Sequence, residues 1–375
     1  MTYRRTARVA LLFLSISVVF CAKRPDQTTY RAIGNKIYAG TRPEIELLAG
    51  VLTQTSWMER CGPSGKGNAY YRELKAFFDA YRDHEAIKIA ERLTQHYFAY
   101  DAPLDFMLQL SGLPELNAPP VYSDHVIEQA GGTANLEEFR IALARLAKRS
   151  DFITFYNQHT ERYRRWTDTA LSDYPADSII GWMEDYFGWI GDEYHLIFSP
   201  AMFPFGGYAI THRLDGKTVA YEVVRENGES DSLPEFQSGR QLILLSLHEF
   251  GHSFVNPSLE RCTTLMREYK LERLIVPVKG KMDQMAYGRC EAFFNETVVR
   301  AATARAIWLL WHSKPSYDKY LAYERSNGFY LIDFTIAQLI FYEKNRSTYR
   351  SFDQFVPYLL HEYHGHIREL LAAAV

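Results

Sequence analysis

The most constraining feature of the sequence is a His-Glu-x-x-His pattern, which runs from His248 to His252. Residues four positions apart on an α-helix differ by about 40° around the axis, so both imidazoles project from one face. This spacing allows the two rings to bind a single tetrahedral Zn²⁺ ion. Glu249 follows the first histidine and can act as a general base on the water that such an ion activates, rather than as a ligand. The pattern therefore predicts a continuous helix with a zinc site on one face.

The residues around the pattern predict where this helix begins and ends. Ser238 followed by Gln241 has the form of a capping box, which places a helix start just ahead of the mainly apolar stretch 242–247. Asn256-Pro257 predicts the end, because the residue before a proline is pushed out of helical geometry. The histidine pair is therefore expected inside a helix with defined ends.

Two histidines leave a catalytic zinc site one protein ligand short, since such sites usually have three ligands and a water. A second helix is predicted from Cys290 onwards, and it carries Glu291 and Glu296. These two carboxylates lie about 140° apart around a helix axis, so only one of them can face the metal. Glu296 is the preferred third ligand and Glu291 the alternative. Arg300 lies one turn after Glu296 and can orient its carboxylate.

The remainder of the chain combines helices with a few strands. Apolar residues at helical spacing predict mainly helical structure over residues 44–170. The predicted strands are Tyr194–Phe198, Gly207–His212 and Thr218–Val224. Asp215-Gly216 favours a tight hairpin turn between the last two strands, and helical sequence follows to the carboxyl terminus. This order predicts an α+β fold, mainly helical, with a small antiparallel sheet ahead of the histidine helix.

The histidine pattern with a glutamate on a later helix resembles the gluzincin class of zinc metallopeptidases, the thermolysin-like enzymes. The longer strings His248–Pro257 and Asn295–Ala301 resemble a bacterial exported family, the domain of unknown function 4932. Parts of the segments Tyr70–His84 and Ser199–Tyr208 also resemble that family, so the likeness extends over roughly residues 40–360. The resemblance implies a zinc-dependent peptidase fold, with a hairpin edge strand beside the active-site helix.

A hydrolytic site of this kind also needs a hydrogen-bond donor for the oxyanion of the transition state. The candidates are Tyr208, His212, Tyr287, Arg300 and Tyr330. Tyr208 and Arg300 join Glu249 in the predicted catalytic set.

The amino terminus predicts export. Three arginines within the first eight residues precede an apolar stretch from Val9 to Phe20, which is too short to span a bilayer comfortably. Cys21 resembles a bacterial lipoprotein site, where lipidation of this cysteine would anchor the protein to a membrane. Ordinary cleavage near Ala22 and an uncleaved apolar anchor are the alternatives. The expected location is periplasmic, at the outer surface as a lipoprotein, or secreted.

An exported chain is free to form disulfides. Besides Cys21 the sequence contains Cys61, Cys262 and Cys290. The preferred pair is Cys262 with Cys290, which would join the two candidate metal-binding helices, and three unpaired cysteines are the alternative.

The chain has 375 residues and a formal net charge of −3, without a long basic run, which argues against a dedicated nucleic-acid-binding protein. The predicted organisation is a leader over residues 1–22, a helical region over 23–180 and a catalytic region over 181–375. One continuous domain from about residue 40 is the alternative.

These observations together predict an exported zinc-dependent metallohydrolase that acts on a peptide or protein substrate. Two other functions stay open: a cell-surface binding lipoprotein with a vestigial or structural zinc site, and a zinc hydrolase of non-peptide amides or esters.

Overall fold

A computed structural model describes residues 29–61, 67–202, 206–214, 216–230 and 233–372. The predicted leader, Cys21 and Asp215 lie outside this part of the chain. In chain order the helices and strands are β1 (Tyr30–Ala32), β2 (Ile37–Gly40), α1 (Pro43–Leu52), α2 (Ser56–Cys61), α3 (Ala69–Asp79), α4 (Glu85–Thr94), α5 (Asp101–Gln109), α6 (Asp124–Ala130), α7 (Thr133–Arg149), α8 (Phe152–Gln158), α9 (Thr160–Leu171), α10 (Ala176–Phe187), β3 (Glu193–Ser199), β4 (Gly207–Leu214), β5 (Lys217–Arg225), β6 (Gly228–Ser230), β7 (Leu233–Glu235), α11 (Gly239–Glu260), α12 (Thr263–Glu268), α13 (Lys279–Gln284), α14 (Cys290–Trp311), α15 (Lys314–Ser326), α16 (Ile332–Lys344), α17 (Phe352–Gly365) and α18 (Ile367–Ala372). Two short 3-10 helices, Leu271–Leu274 and Val276–Val278, lie between α12 and α13.

The central sheet has five strands in the order β1-β2-β3-β5-β4. The predicted hairpin is present: β4 and β5 pair antiparallel, and Leu214 opposite Lys217 closes it. The sheet is mixed rather than antiparallel throughout, because β3 runs parallel to both β2 and β5. Parallel neighbours need a long crossover connection, and helices α1–α10 provide it between β2 and β3. The α+β fold class is confirmed, with helices as the main component.

Helices cover both faces of this sheet. Leu196 and Phe198 of β3 point into a core formed with α10, α11, α14, α16 and α17. Ile197, between them, points into a second core formed with helices α1–α9. The alternation follows from the two-residue period of a strand. Strands β1 and β2, from the beginning of the described chain, share one sheet with β3–β5. The predicted boundary near residue 180, between a helical and a catalytic region, stays a prediction.

Helix α11 begins where the sequence predicts, with Ser238 at the N-cap, but the Ser238 side chain makes no capping hydrogen bond. The predicted end at Asn256-Pro257 is wrong, because the helix continues through Pro257 to Glu260. An internal proline removes its own N–H from the helical ladder and crowds the carbonyl four residues earlier, and this cost has to be offset by other contacts. The last turn is held by tertiary packing, with Leu259 only 2% exposed, and by Ser258 Oγ, which donates to the carbonyl of Phe254 at 2.8 Å. Packing here outweighs the local preference of the residue before proline.

Helix α14 begins at Cys290, as predicted, and packs directly against α11. Gly251 lies at this contact, where an added Cβ would be 3.3 Å from Val299 Cγ1. The absence of a side chain at Gly251 therefore allows the two helices to approach closely.

The predicted Cys262–Cys290 disulfide is wrong: Cys61, Cys262 and Cys290 are free thiols. Cys262 and Cys290 are partly buried and pack against the core of the carboxyl-terminal helices. They act there as small apolar residues. Among the described residues, no helix is both long enough and apolar enough to cross a membrane.

The shared sheet leads to a test of cooperativity. Leu196→Ala and Ile197→Ala remove fully buried side chains from opposite faces of one strand, and each is expected to lower the free energy of unfolding by about 2–5 kcal/mol. Because both faces belong to one sheet, both changes should move the same urea transition, followed by circular dichroism. Tyr97→Ala, at a position 77% exposed, is the control and should change stability by less than about 0.5 kcal/mol. Two separate transitions, each sensitive to only one variant, would contradict a common core.

Candidate metal centre and cleft

Three side chains from α11 and α14 converge on one point. His248 Nε2 and His252 Nε2 are 3.3 Å apart. The carboxylate of Glu296 lies 3.4 Å from His252 Nε2 and 3.6 Å from His248 Nε2. Two ligands held at bonding distance by a tetrahedral zinc ion are about 3.4 Å apart. The contact with His252 is made by Glu296 Oε1 and the contact with His248 by Glu296 Oε2. The two imidazole nitrogens and the carboxylate group thus have about the mutual spacing that one zinc ion requires.

The two acids considered as third ligand differ in position. Glu296 is 7% exposed and lies where α14 crosses α11. Glu291 lies in the first turn of α14 with an exposed side chain. The structure therefore brings Glu296, and not Glu291, to the histidine pair.

The protonation of His252 also suits a metal ligand. Its Nδ1 lies 3.0 Å from Asn256 Oδ1. An amide oxygen only accepts hydrogen bonds, so Nδ1 carries the proton and Nε2 presents its lone pair to the point of convergence. A histidine ligand is usually fixed in this way through its second nitrogen.

The surrounding charges favour an anionic carboxylate and shift the pKa values of the two imidazoles in opposite directions. Burial raises the pKa of Glu296, but Arg300 at 2.8 Å and the two imidazoles outweigh it and lower this pKa to about 2. Burial lowers the pKa of His248 well below its usual value. For His252 the effect of burial is exceeded by the charge of Glu296, which raises the pKa. An ionised carboxylate and imidazole lone pairs form the donor set that zinc prefers, so these residues fit the ion.

Glu249 lies beside the three converging groups. Its carboxylate belongs, with the imidazoles of His248 and His252, to a group of ligand atoms that are all within 4.8 Å of one another. Burial raises the pKa of Glu249 to about 7. A carboxyl group with a pKa near neutrality is suited to accept and return a proton. Strand β4 passes very close: a Cβ on Gly207 would lie 2.9 Å from Glu249 Oε1.

These groups open into a cleft of about 330 Å³. One wall is the start of β4, from Gly207 to Ala209. A second wall is Tyr100 and Asp101 at the beginning of α5, and a third is the loop from Met285 to Tyr287. His248, His252 and Glu296 form the floor of the cleft. The cleft is large enough for a few residues of an extended chain.

The edge of the sheet borders this cleft, because β4 is the outermost strand on that side. A two-residue loop closes the hairpin at Leu214 and Lys217, which makes this pair hydrogen-bonded. Antiparallel pairing then alternates, so the N–H and C=O groups of Gly207 and Ala209 point away from β5. These backbone groups can accept an additional strand.

The predicted oxyanion donors are separated by the fold. Tyr208 and Tyr287 line the cleft. Arg300 is not among the described residues that line the cleft, and its guanidinium pairs instead with Glu296 and with Glu324. His212 is buried with its Nε2 2.6 Å from Asp105 Oδ1, and the Tyr330 hydroxyl donates to the carbonyl of Leu274. Two tyrosines thus remain in position to reach a substrate.

Several residues of the site were not predicted from the sequence. Asn256 could have been found, because it lies four residues after His252 on the same helical face. Gly207 carries only a weak signal as part of a glycine pair. Tyr100, Asp101 and Glu324 are brought here by tertiary structure alone, and no local pattern marks them.

Comparison with known proteins gives a family but no activity. No curated protein and no solved structure matches the chain. The sequence model of a domain of unknown function, DUF4932, matches residues 56–361. This match covers most of the chain, from α2 to α17, and contains both helices of the candidate metal centre. The chain therefore belongs to the DUF4932 family.

Proposed function

We propose that this protein is an exported zinc-dependent hydrolase that cleaves peptide bonds. The observation that carries the proposal is the convergence of His248, His252 and Glu296, with Glu249 buried beside them at the floor of a cleft. Export, and anchoring through lipidated Cys21, are supported by the basic and apolar leader sequence.

The proposed metal is Zn²⁺, held by the two imidazoles and the Glu296 carboxylate. When bound, zinc supplies a Lewis acid that activates water and polarises the scissile carbonyl. Three protein ligands beside a cleft would match the ligand number of a catalytic zinc site, whereas a structural zinc site usually has four protein ligands.

Glu249 performs the proton transfers in this proposal. Its carboxylate removes a proton from the attacking water as the new carbon–oxygen bond forms, and then returns that proton to the leaving nitrogen as the carbon–nitrogen bond breaks. The raised pKa of Glu249 supports both steps, because the group can hold the proton between them.

A peptide substrate is supported by the exposed backbone of β4. An extended peptide can pair with the outward N–H and C=O groups of Gly207 and Ala209, which would align its backbone beside Glu249. An ester or amide without a peptide backbone cannot use these groups in the same way. The edge strand therefore favours a peptidase over a hydrolase of other amides and esters.

Tyr287 is the favoured hydrogen-bond donor to the oxyanion, with Tyr208 as the other candidate. The pKa of the Tyr287 hydroxyl is raised by burial and by the negative charges of Glu296 and Glu249, so the phenol stays protonated and able to donate. The pKa of Tyr208 is likewise raised by burial, then by Asp101 and Glu249. Of the two tyrosines, Tyr287 is the one whose pKa is raised by the charges of both Glu296 and Glu249.

The first test replaces the general base. Glu249→Gln keeps the size of the side chain but cannot accept the proton, so hydrolysis of a peptide library should fall at least about 100-fold. Zinc content, measured on the purified protein, should remain one ion per chain and be lost in His248→Ala. Glu291→Gln, on the exposed side of α14, is the matched control and should hydrolyse like the unmodified protein. Zinc binding without hydrolysis in the unmodified protein, together with a fourth protein ligand, would favour the binding lipoprotein instead.

A second test uses the close approach of β4. Gly207→Ala places a methyl group 2.9 Å from Glu249 Oε1, so the carboxylate has to move. We expect hydrolysis to decrease about 10-fold or more with zinc content unchanged, since small displacements of a catalytic group are costly. Gly206→Ala is the control, because its Cβ would meet only Leu245 at an ordinary 3.7 Å. Equal activity of the Gly207→Ala and Gly206→Ala variants would contradict the proposed dependence of hydrolysis on the position of the Glu249 carboxylate.

A third test separates the two tyrosines. Tyr287→Phe is expected to lower kcat about 100-fold with little change in KM, as the loss of one oxyanion donor does. Tyr208→Phe should have a smaller effect. Steady-state kinetics on one fluorogenic peptide measure both, and the opposite order would give the role to Tyr208.

A further inference from the structure

Behind the third ligand, Arg300 lies between two buried carboxylates. Its Nη2 is 2.8 Å from Glu296 Oε2 and its Nη1 is 3.3 Å from Glu324 Oε1. Glu324 belongs to α15 and is only 2% exposed. A chain of carboxylate, guanidinium and carboxylate thus extends from the metal centre to a neighbouring helix.

Aromatic rings isolate this chain from water. The Arg300 guanidinium lies 4.4 Å from the centre of the Phe329 ring and 5.8 Å from that of Tyr287. The Arg300 side chain is 13% exposed. Charges in such a poorly screened environment act strongly on one another, so the loss of any one member changes the charge felt by the other two.

We propose that Glu324 is a positioning residue that tightens metal binding by holding part of the charge of Arg300 away from Glu296. The inference rests on the proposed metal centre and extends it to a residue that touches neither metal nor substrate.

The direction of the effect follows from competition for one carboxylate. Arg300 and a divalent ion both seek the negative charge of Glu296. Glu324 gives the guanidinium a second anionic partner, which weakens its hold on Glu296. Glu324 also adds a negative charge near the ion. Both effects favour metal binding. Without Glu324, Arg300 would pair fully with Glu296, and its uncompensated positive charge would oppose that of the metal ion.

The same helix offers a matched comparison. Arg305, also on α14, forms a two-bond ion pair with Glu343 of α16 at 2.8 and 2.7 Å. Arg305 is 7% exposed, and neither of its bonds goes to a metal-centre residue. Loss of Glu343 therefore removes a comparable ion pair from α14 without changing the partners of Glu296.

The experiment compares Glu324→Gln and Glu343→Gln in the full chain. Zinc dissociation constants are measured by competition with a chromophoric chelator, and thermal unfolding is recorded on the metal-free proteins. Glu324→Gln is expected to raise the dissociation constant about 10-fold, and Glu343→Gln should leave it unchanged. Equal constants for Glu324→Gln and the unmodified protein, or equal weakening in both variants, would overturn the inference.

Two further variants separate charge from packing. Glu324→Asp retains the negative charge and should bind zinc within about threefold of the unmodified protein, whereas a packing role predicts weakening like that of the glutamine variant. If Glu324→Gln does not fold, Arg300→Gln provides the test, because it removes the cation that competes with the metal for Glu296. Zinc binding should then be at least as tight as in the unmodified protein, and weakening of about 10-fold or more would overturn the inference. If the unmodified protein itself does not bind zinc, the proposed metal centre fails, independently of Glu324.

Discussion

The close crossing of α11 and α14 is the contact on which the candidate site depends. Two histidines on one helix form only part of the candidate metal centre, and Glu296, 44 residues after His252, joins them from α14. The separation of the helices decides whether the carboxylate reaches both imidazoles. Gly251 permits the close separation, because a Cβ at this position would already lie 3.3 Å from Val299 Cγ1. The glycine inside the His-Glu-x-x-His pattern thus has a role in helix packing, whereas the roles proposed for His248, Glu249 and His252 are chemical.

The site also illustrates how a protein keeps several charges buried. Glu296, Arg300 and Glu324 lie together with little access to water. Buried charges are tolerated when each has a partner, and here each carboxylate faces the guanidinium. This arrangement keeps Glu296 ionised, which a zinc ligand requires. Glu249 differs from Glu296, because burial outweighs the opposing charges of His252 and Arg300 and raises the Glu249 pKa to about 7.

The sequence predicted those parts of the structure that depend on local periodicity. The start of α11, the start of α14 and the β4–β5 hairpin follow from spacing, capping positions and turn residues, and they have the expected places. Helical geometry alone limits the candidates for the third ligand to one of two residues, Glu296 or Glu291. The continuation of α11 through Pro257 could not be predicted, because it depends on the packing of Leu259 and on a hydrogen bond from Ser258. The parallel pairing of β2 with β3 could not be predicted either, because more than 150 residues separate the two strands and no local pattern indicates their contact. Glu324 has no local signature, because its role depends on a partner from another helix.

The order of the strands in the central sheet has a consequence for how the protein folds. Pairing β2 with β3 requires the whole segment of α1–α10 to be in place between them. Contacts between residues so distant in sequence form late, since the entropy of closing a long loop must be overcome first. The cleft also takes one wall from α5 and another from the loop before α14, so it is complete only when these distant segments have come together. A chain still being synthesised therefore lacks the complete cleft until its late-made helices have joined the early ones.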